Sequence, residues 1–280
     1  MATLFRWSAA LPLWWLHAGG WLLGWVAFVA SATYRRRFLA NSALAGFGFA
    51  QVRGAVGAAG KMVAELPRLW MGAPVACDWD NDACVDDAYA RGKGVLFLTP
   101  HLGCFEVTAQ ALAARYGSQY GALTVLYRPA RQAWLAGFME ATRNRPGLKT
   151  APTTLAGVRQ MLRALRSGLS VGLLPDQVPP YGMGIWSRFF ERDAYTMTLS
   201  VRLAQQSGAT VLLLWGERLA WGRGYRLHFR ELAAPLADTL DAATRQVNAE
   251  MERLVRECPA QYLWGYARYK QPHRDAGSPP

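Results

Sequence analysis

From Gly94 onward the chain alternates between two kinds of pattern, and that alternation limits the folds open to it more than any other feature. Short apolar runs rich in β-branched and aromatic residues, "GVLFLT", "ALTVLYR", "LSVGLLPDQ" and "ATVLLLWGE", suit buried strands. Between them, "VTAQALAARYG", "QAWLAGFMEATRNR", "TLAGVRQMLRALRSG" and "MTLSVRLAQQSG" carry helical spacing. "GYRLHFREL" adds a further strand, and "LDAATRQVNAEMERLVREC" closes as an amphipathic helix. Strands separated by helices predict an α/β fold, with a mostly parallel central sheet covered by helices on both faces.

The N-terminal region is of another kind. Between Arg6 and Arg35 there is no Lys, Arg, Asp or Glu, and five of the 12 tryptophans (Trp7, Trp14, Trp15, Trp21, Trp25) fall within the first 25 positions. A bilayer core of about 30 Å needs roughly 20 helical residues to cross it, so residues 1–34 predict a transmembrane anchor helix. "ASA" at Ala30 to Ala32 offers a cleavable signal peptide as the rival reading, but the apolar stretch is about twice the usual length of such a region. Arg35, Arg36 and Arg37 follow at once and hold the downstream chain in the cytoplasm. Gly20 and Gly24 form a GxxxG pair, the spacing of a close helix contact. Residues 35–92 read as a helical membrane-proximal segment, ending in "CDWDNDACVDDAYARGKG" as an acidic surface helix. Residues 93–271 hold the α/β catalytic domain, and residues 272–280 a flexible Pro/Gly/Ser-rich tail.

The formal charge of +12 calls for anionic partners. Lysine occurs only at Lys61, Lys93, Lys149 and Lys270, so most of the 31 basic residues are arginine, whose fork matches phosphate and carboxylate. Beside an apolar anchor those partners are membrane lipid headgroups, phosphorylated substrates or an acidic carrier protein. Nucleic acid is not expected, because no binding motif and no basic tract beyond "RRR" is present. The four cysteines form no CxxC pair, which speaks against structural zinc and against a disulfide framework. "GLSVG" matches GxSxG, but Ser170 would open a strand instead of closing one, the reverse of a nucleophile elbow.

The stretch "TPHLGCFEVTAQ", Thr99 to Gln110, carries the chemistry. Pro100 ends the strand and pushes His101 onto the turn before a helix, the corner of open α/β folds where ligands bind. Glu106 sits in the first helical turns, where the helix N-terminus favours negative charge, and from there it can reach back toward the imidazole. A carboxylate so placed would fix the ring tautomer and stabilise an imidazolium, making His101 a general base. Arg128 in "LYRPA" and Asp176 in "LLPDQ" end strands at the same sheet edge, as site candidates or as structural ion pairs. Arg143 and Arg145 in "ATRNR" are candidates for binding phosphates, with helix capping as the alternative, and Glu217 has a similar strand-end placement.

"HLGCFE" resembles the HX4E box of the bacterial lipid A biosynthesis acyltransferases, the late lauroyl/myristoyl family. The likeness continues through "RRRFLAN", "YRPA", "LLPDQ", "RFFERDAYTMTLSVRLAQQSGATVL" and "PAQYLWGYARYK", nearly the whole chain. The resemblance implies an inner-membrane enzyme with its catalytic domain on the cytoplasmic face, moving an acyl chain from acyl carrier protein to a hydroxyl of a lipid A precursor in lipopolysaccharide synthesis. It implies His101 as base, Glu106 as its orienting carboxylate, Arg128 as a residue that binds donor or acceptor or stabilises developing negative charge, and no metal or cofactor; Arg143, Arg145 and Asp176 join Arg128 as substrate-binding candidates from their placement. A glycerophospholipid acceptor is the alternative, although the comparable box of those enzymes normally ends in aspartate.

Overall fold

A computed structural model of the protein describes residues 7–127 and 146–273. The segment "QAWLAGFMEATRNR", with Arg128, Arg143 and Arg145, lies outside the described residues, as do residues 274–280.

The chain begins with helices α1 (Leu13–Ala30), α2 (Ala32–Leu44), α3 (Phe49–Ala64) and α4 (Leu66–Met71). Strand β1 (Cys77–Asp80) and helix α5 (Ala83–Ala90) lead into β2 (Val95–Leu98), α6 (Phe105–Tyr120) and β3 (Leu123–Tyr127). After the undescribed segment come β4 (Leu148–Pro152), α7 (Leu155–Arg166), β5 (Ser170–Leu173), β6 (Gly184–Phe189), β7 (Arg192–Met197) and α8 (Leu199–Ser207). Strands β8 (Thr210–Arg218) and β9 (Tyr225–Glu231) and helix α9 (Leu240–Glu257) complete the order. Seven strands form one sheet in the order β1-β9-β8-β2-β5-β3-β4, and β6 and β7 form a separate hairpin. Only the β8–β9 pair of the large sheet is antiparallel. The fold is thus the mostly parallel α/β sheet that the alternation predicts.

Strand side chains divide the core in two. Leu96 and Leu98 of β2 join Val171, Leu173, Leu213, Val201, Met251 and the aromatic residues Phe28 and Phe38 on one face. Val95 and Phe97 join Leu212, Leu214, Phe229, Val107 and Leu112 on the other. Such two-sided burial follows from the period of two along a strand, and explains why β2 is apolar at every position.

Three elements depart from the expectation. "CDWD" is an edge strand paired with β9, and only Ala83–Ala90 of the acidic stretch is helical, because Asn81 turns the chain with φ 62°. Several of its aspartates are held in ion pairs: Asp80 with His228 and Arg230, Asp82 with Arg115, and Asp78 with Arg226. β4, "LKTAP", extends the opposite edge, and "GIWSRF" and "RDAYTM" form the hairpin.

The GxxxG pair meets α3, and it does so within the chain. A methyl group added to Gly60 would overlap the Gly20 carbonyl oxygen, and one added to Gly24 would overlap that of Val56. Glycine on both helices is what lets the backbones come together.

Candidate active site

Register carries the site. Leu98 of β2 pairs with Leu173 of β5 in parallel, and three residues beyond each strand stand His101 and Asp176. The Asp176 carboxylate accepts two bonds from the same residue, from the His101 backbone N–H to Oδ2 at 2.9 Å and from the ring Nδ1 to Oδ1 at 2.7 Å. Tyr262 donates its hydroxyl to Oδ2 at 3.2 Å. Burial opposes the charge on Asp176, yet the His101 ring and N–H groups, with Arg268 nearby, hold its carboxyl below the usual carboxylate range. An ionised carboxylate only accepts, so Nδ1 carries a hydrogen, and in the tautomer with Nδ1–H the other nitrogen, Nε2, is an acceptor. The Gln177 side-chain amide donates to Nε2 at 3.0 Å.

The closing segment of the chain backs this turn. Gln261 O accepts from Gly103 N at 3.1 Å, and Leu263 N donates to His101 O at 3.1 Å. Gly103 has φ 58°, and a side chain there would strike the Gly216 carbonyl, so only glycine fits. Asn41 holds the same segment from the far end of the sequence, donating to Trp264 O at 2.7 Å and Tyr266 O at 2.8 Å. Three stretches far apart in sequence therefore converge on one imidazole.

His101 opens onto a cavity of about 330 Å³, within the range of roughly 300–1,000 Å³ usual for ligand pockets. Its walls are mainly apolar, with Phe105, Val125, Leu126, Leu148, Leu174 and Met197 among them. Glu106 and Gln177 supply polar groups on the same walls. The Trp70 indole N–H donates to Glu106 at 3.2 Å. A partly exposed imidazole beside an apolar cavity is placed to exchange a proton with a ligand's polar group while the walls hold its apolar part.

The bacterial lipid A biosynthesis acyltransferase profile matches residues 56–271. The chain belongs to this family. Among the relatives of this acyltransferase-family protein is a lipid A biosynthesis acyltransferase of Haemophilus influenzae, 25% identical over 180 residues, which are 64% of this chain and 55% of that protein. A lipid A biosynthesis lauroyltransferase of Escherichia coli K12 is 27% identical over 192 residues, 66% of this chain and 59% of the relative. The matches thus span little more than half the length of either relative.

In this family member the sequence-predicted residues fall into three groups. His101 and Glu106 both face the cavity. The two ring nitrogens of the imidazole lie against Asp176 and Gln177, and Glu106 accepts from Trp70. The Asp176 side chain is 2% exposed, and its oxygens accept from His101 and Tyr262. Arg128, Arg143 and Arg145 lie outside the described residues. Glu217 binds the ring of His228 at 2.9 Å. Ser170 opens β5, buried, and accepts from the Tyr89 hydroxyl at 3.1 Å, as a packing residue does. Cys104 is buried next to the site, and burial pushes its thiol well above the ordinary value, which keeps it inert.

Sequence reading missed Gln177 and Tyr262. Gln177 follows Asp176 directly in "LLPDQ" and could have been weighed with it, whereas Tyr262 carries no local signal.

A second buried cluster stands behind the His101 turn. Glu65, 1% exposed, accepts from the Arg218 guanidinium, from the Tyr225 hydroxyl at 2.9 Å and from His17 of α1 at 3.1 Å. Burial opposes its charge, but Arg218 and then His17 outweigh that and hold its carboxyl at about 2. Glu65 caps the start of α4, and Trp70 of the same helix reaches Glu106. The apolar N-terminal helix is thereby tied to the cavity wall through two polar contacts, His17 to Glu65 and Trp70 to Glu106.

Proposed function

We propose that the protein is an O-acyltransferase that moves a fatty acyl chain from acyl carrier protein to a hydroxyl of a lipid A precursor at the inner membrane of a Gram-negative bacterium, with its catalytic domain on the cytoplasmic face. The observation that carries the reading is that His101, the first residue of the HX4E box, is bonded to Asp176 and lines an apolar cavity. Nε2 of His101 takes the proton of the acceptor hydroxyl as its oxygen attacks the thioester carbonyl carbon. The new C–O bond forms, the C–S bond breaks, and the proton passes from Nε2 to the departing sulfur. Asp176 holds the tautomer and balances the transient imidazolium, as the carboxylate of a hydrolase triad does. Glu106, on the same wall, orients the acceptor, and Arg128, Arg143 and Arg145 bind donor or acceptor phosphates. The apolar walls receive the acyl chain, and the positive charge of the surface suits both an acidic carrier and anionic lipids.

A positioned general base contributes about 10²–10⁴ in rate, and holding two lipophilic substrates together contributes much of the rest. The test is acylation of a lipid A precursor by the purified chain with acyl carrier protein thioesters, in detergent, followed by mass spectrometry. His101→Ala should remove about 10²–10⁴ of the rate while leaving circular dichroism unchanged. Acylation of lysophosphatidate in place of the lipid A precursor would overturn the acceptor assignment.

A further inference from the structure

Helix α1 is long and apolar enough to cross a bilayer, but its surroundings are not those of a lone span. It is docked along its full length on the folded body. Near its start the Arg68 guanidinium donates to Ala9 O at 3.3 Å, and Gly222 packs on the Trp14 backbone. In its middle His17 bonds Glu65 and Gly20 lies against Lys61. At its end Phe28 stacks on Phe49, and Arg35 donates to Phe28 O at 3.0 Å and Val29 O at 2.8 Å. The covering helix α3 exposes Gln51 and Arg53 and rests by Gly54 against Ala260 of the closing segment.

The other face of α1 is exposed and wholly apolar, with Trp14, Trp15, Leu22, Val26 and Val29 along it. Trp221, 90% exposed and held at φ 61° beside Trp14, extends the same patch. Arg36 and Arg37 stand exposed just past the end of the helix.

From this we infer that α1 lies in the plane of one leaflet of an anionic bilayer, exposed face down, so that the protein is monotopic and does not cross the membrane. Crossing would carry Lys61 to the bilayer midplane and Arg53 into hydrocarbon, where charged side chains are unfavourable, and would bring the charged body in behind them. Lying flat leaves those groups in water, buries the apolar face in the acyl boundary and sets tryptophans at the headgroup level where they are favoured. Arg36 and Arg37 then meet anionic headgroups. The same docking sets the catalytic cavity at a fixed distance from the leaflet, through Glu65 and α4.

The inference rests on the membrane attachment proposed above, and its test is separate from acyl transfer, which is assayed in detergent. The full chain is expressed with one protease-cleavable tag before Met1 and another after Pro280, and sealed inner-membrane vesicles are treated with protease from outside. A flat helix leaves both tags on one side, cleaved or protected together. In a second arm, the double variant Leu22→Glu and Val26→Glu should pellet with phosphatidylglycerol vesicles about tenfold less than the parent, with an unchanged melting temperature. Tags found on opposite sides would overturn the inference, as would a double variant that binds like the parent. A purified chain that ignores vesicles and dimerises through this face would overturn it too.

Discussion

Nδ1 of His101 lies 2.7 Å from Oδ1 of Asp176, a residue 75 positions further along the chain. Because β2 and β5 are neighbours in parallel register, the two strand ends deliver both groups to one edge of the sheet. The pair fixes a hydrogen on Nδ1 and leaves Nε2 to Gln177; in the proposed reaction Asp176 is a positioning residue acting through His101.

Replacing Asp176 by Asn removes the charge and offers Nδ1 a group that can also donate. The expected outcome is a loss of acyl transfer of about 10²-fold or more, read as initial rates with acyl carrier protein thioesters. Tyr262→Phe removes one bond to the same carboxylate, a net contribution of about 0.5–1.5 kcal/mol, so its loss should stay below about tenfold. An Asn variant within a few-fold of the parent would sink the role given to Asp176.

Gln177 lies 3.0 Å from Nε2 of His101, the nitrogen that accepts the proton in the proposed reaction. An incoming hydroxyl has to displace it, so Gln177→Ala should raise kcat/KM for the acceptor, by no more than about tenfold given the net worth of one hydrogen bond. A hundredfold fall would instead place Gln177 in the machinery of transfer. Steady-state kinetics over a range of acceptor concentrations separate the two.

Glu65 gives a pH prediction. Its carboxyl is held at about 2 against an ordinary 4.5, so its stabilising contribution is complete above pH 4.5 and is lost as the pH falls toward 2. At pH 7, Glu65→Gln leaves Arg218 buried without its counter-charge and should cost about 3–5 kcal/mol. Urea unfolding midpoints of the two proteins should converge on acidification below pH 4.5. A constant difference across that window would contradict the assignment.

The helix contact predicts a steric result. Gly60→Leu drives a side chain into the backbone of α1 at Gly20 and Gly24, and forced overpacking of this kind costs about 1–3 kcal/mol or more. Differential scanning calorimetry should show a lowered Tm, while Gly19→Ala, inside the helix with open space around it, should leave Tm unlowered or slightly raised, since alanine is the better helix former.

Much of this architecture was legible in the linear pattern because the signals are local. Apolar runs bounded by glycine and proline marked β2, β3, β5 and β8, and helical spacing marked α6, α7 and α9. Pro100 and the helix after it located His101 on its turn, and the box it opens led to the family. The polar edge strands β1 and β4 were not legible: "CDWD" and "LKTAP" become strands only through β9 and β3 beside them. The GxxxG pair announced a close contact without naming its partner, which proved to be α3 in the same chain.

What the sequence by itself determined is where a base could stand and which faces of the chain are apolar, since backbone preference and hydrophobic period act over a few residues. What only the tertiary structure decided is who touches the base. Nearness along the chain pointed to Glu106, but side chains meet across strands, and which strand ends lie together is set by sheet order and register. That order brings Asp176, Gln177 and Tyr262 to His101, and leaves Glu106 to the cavity wall.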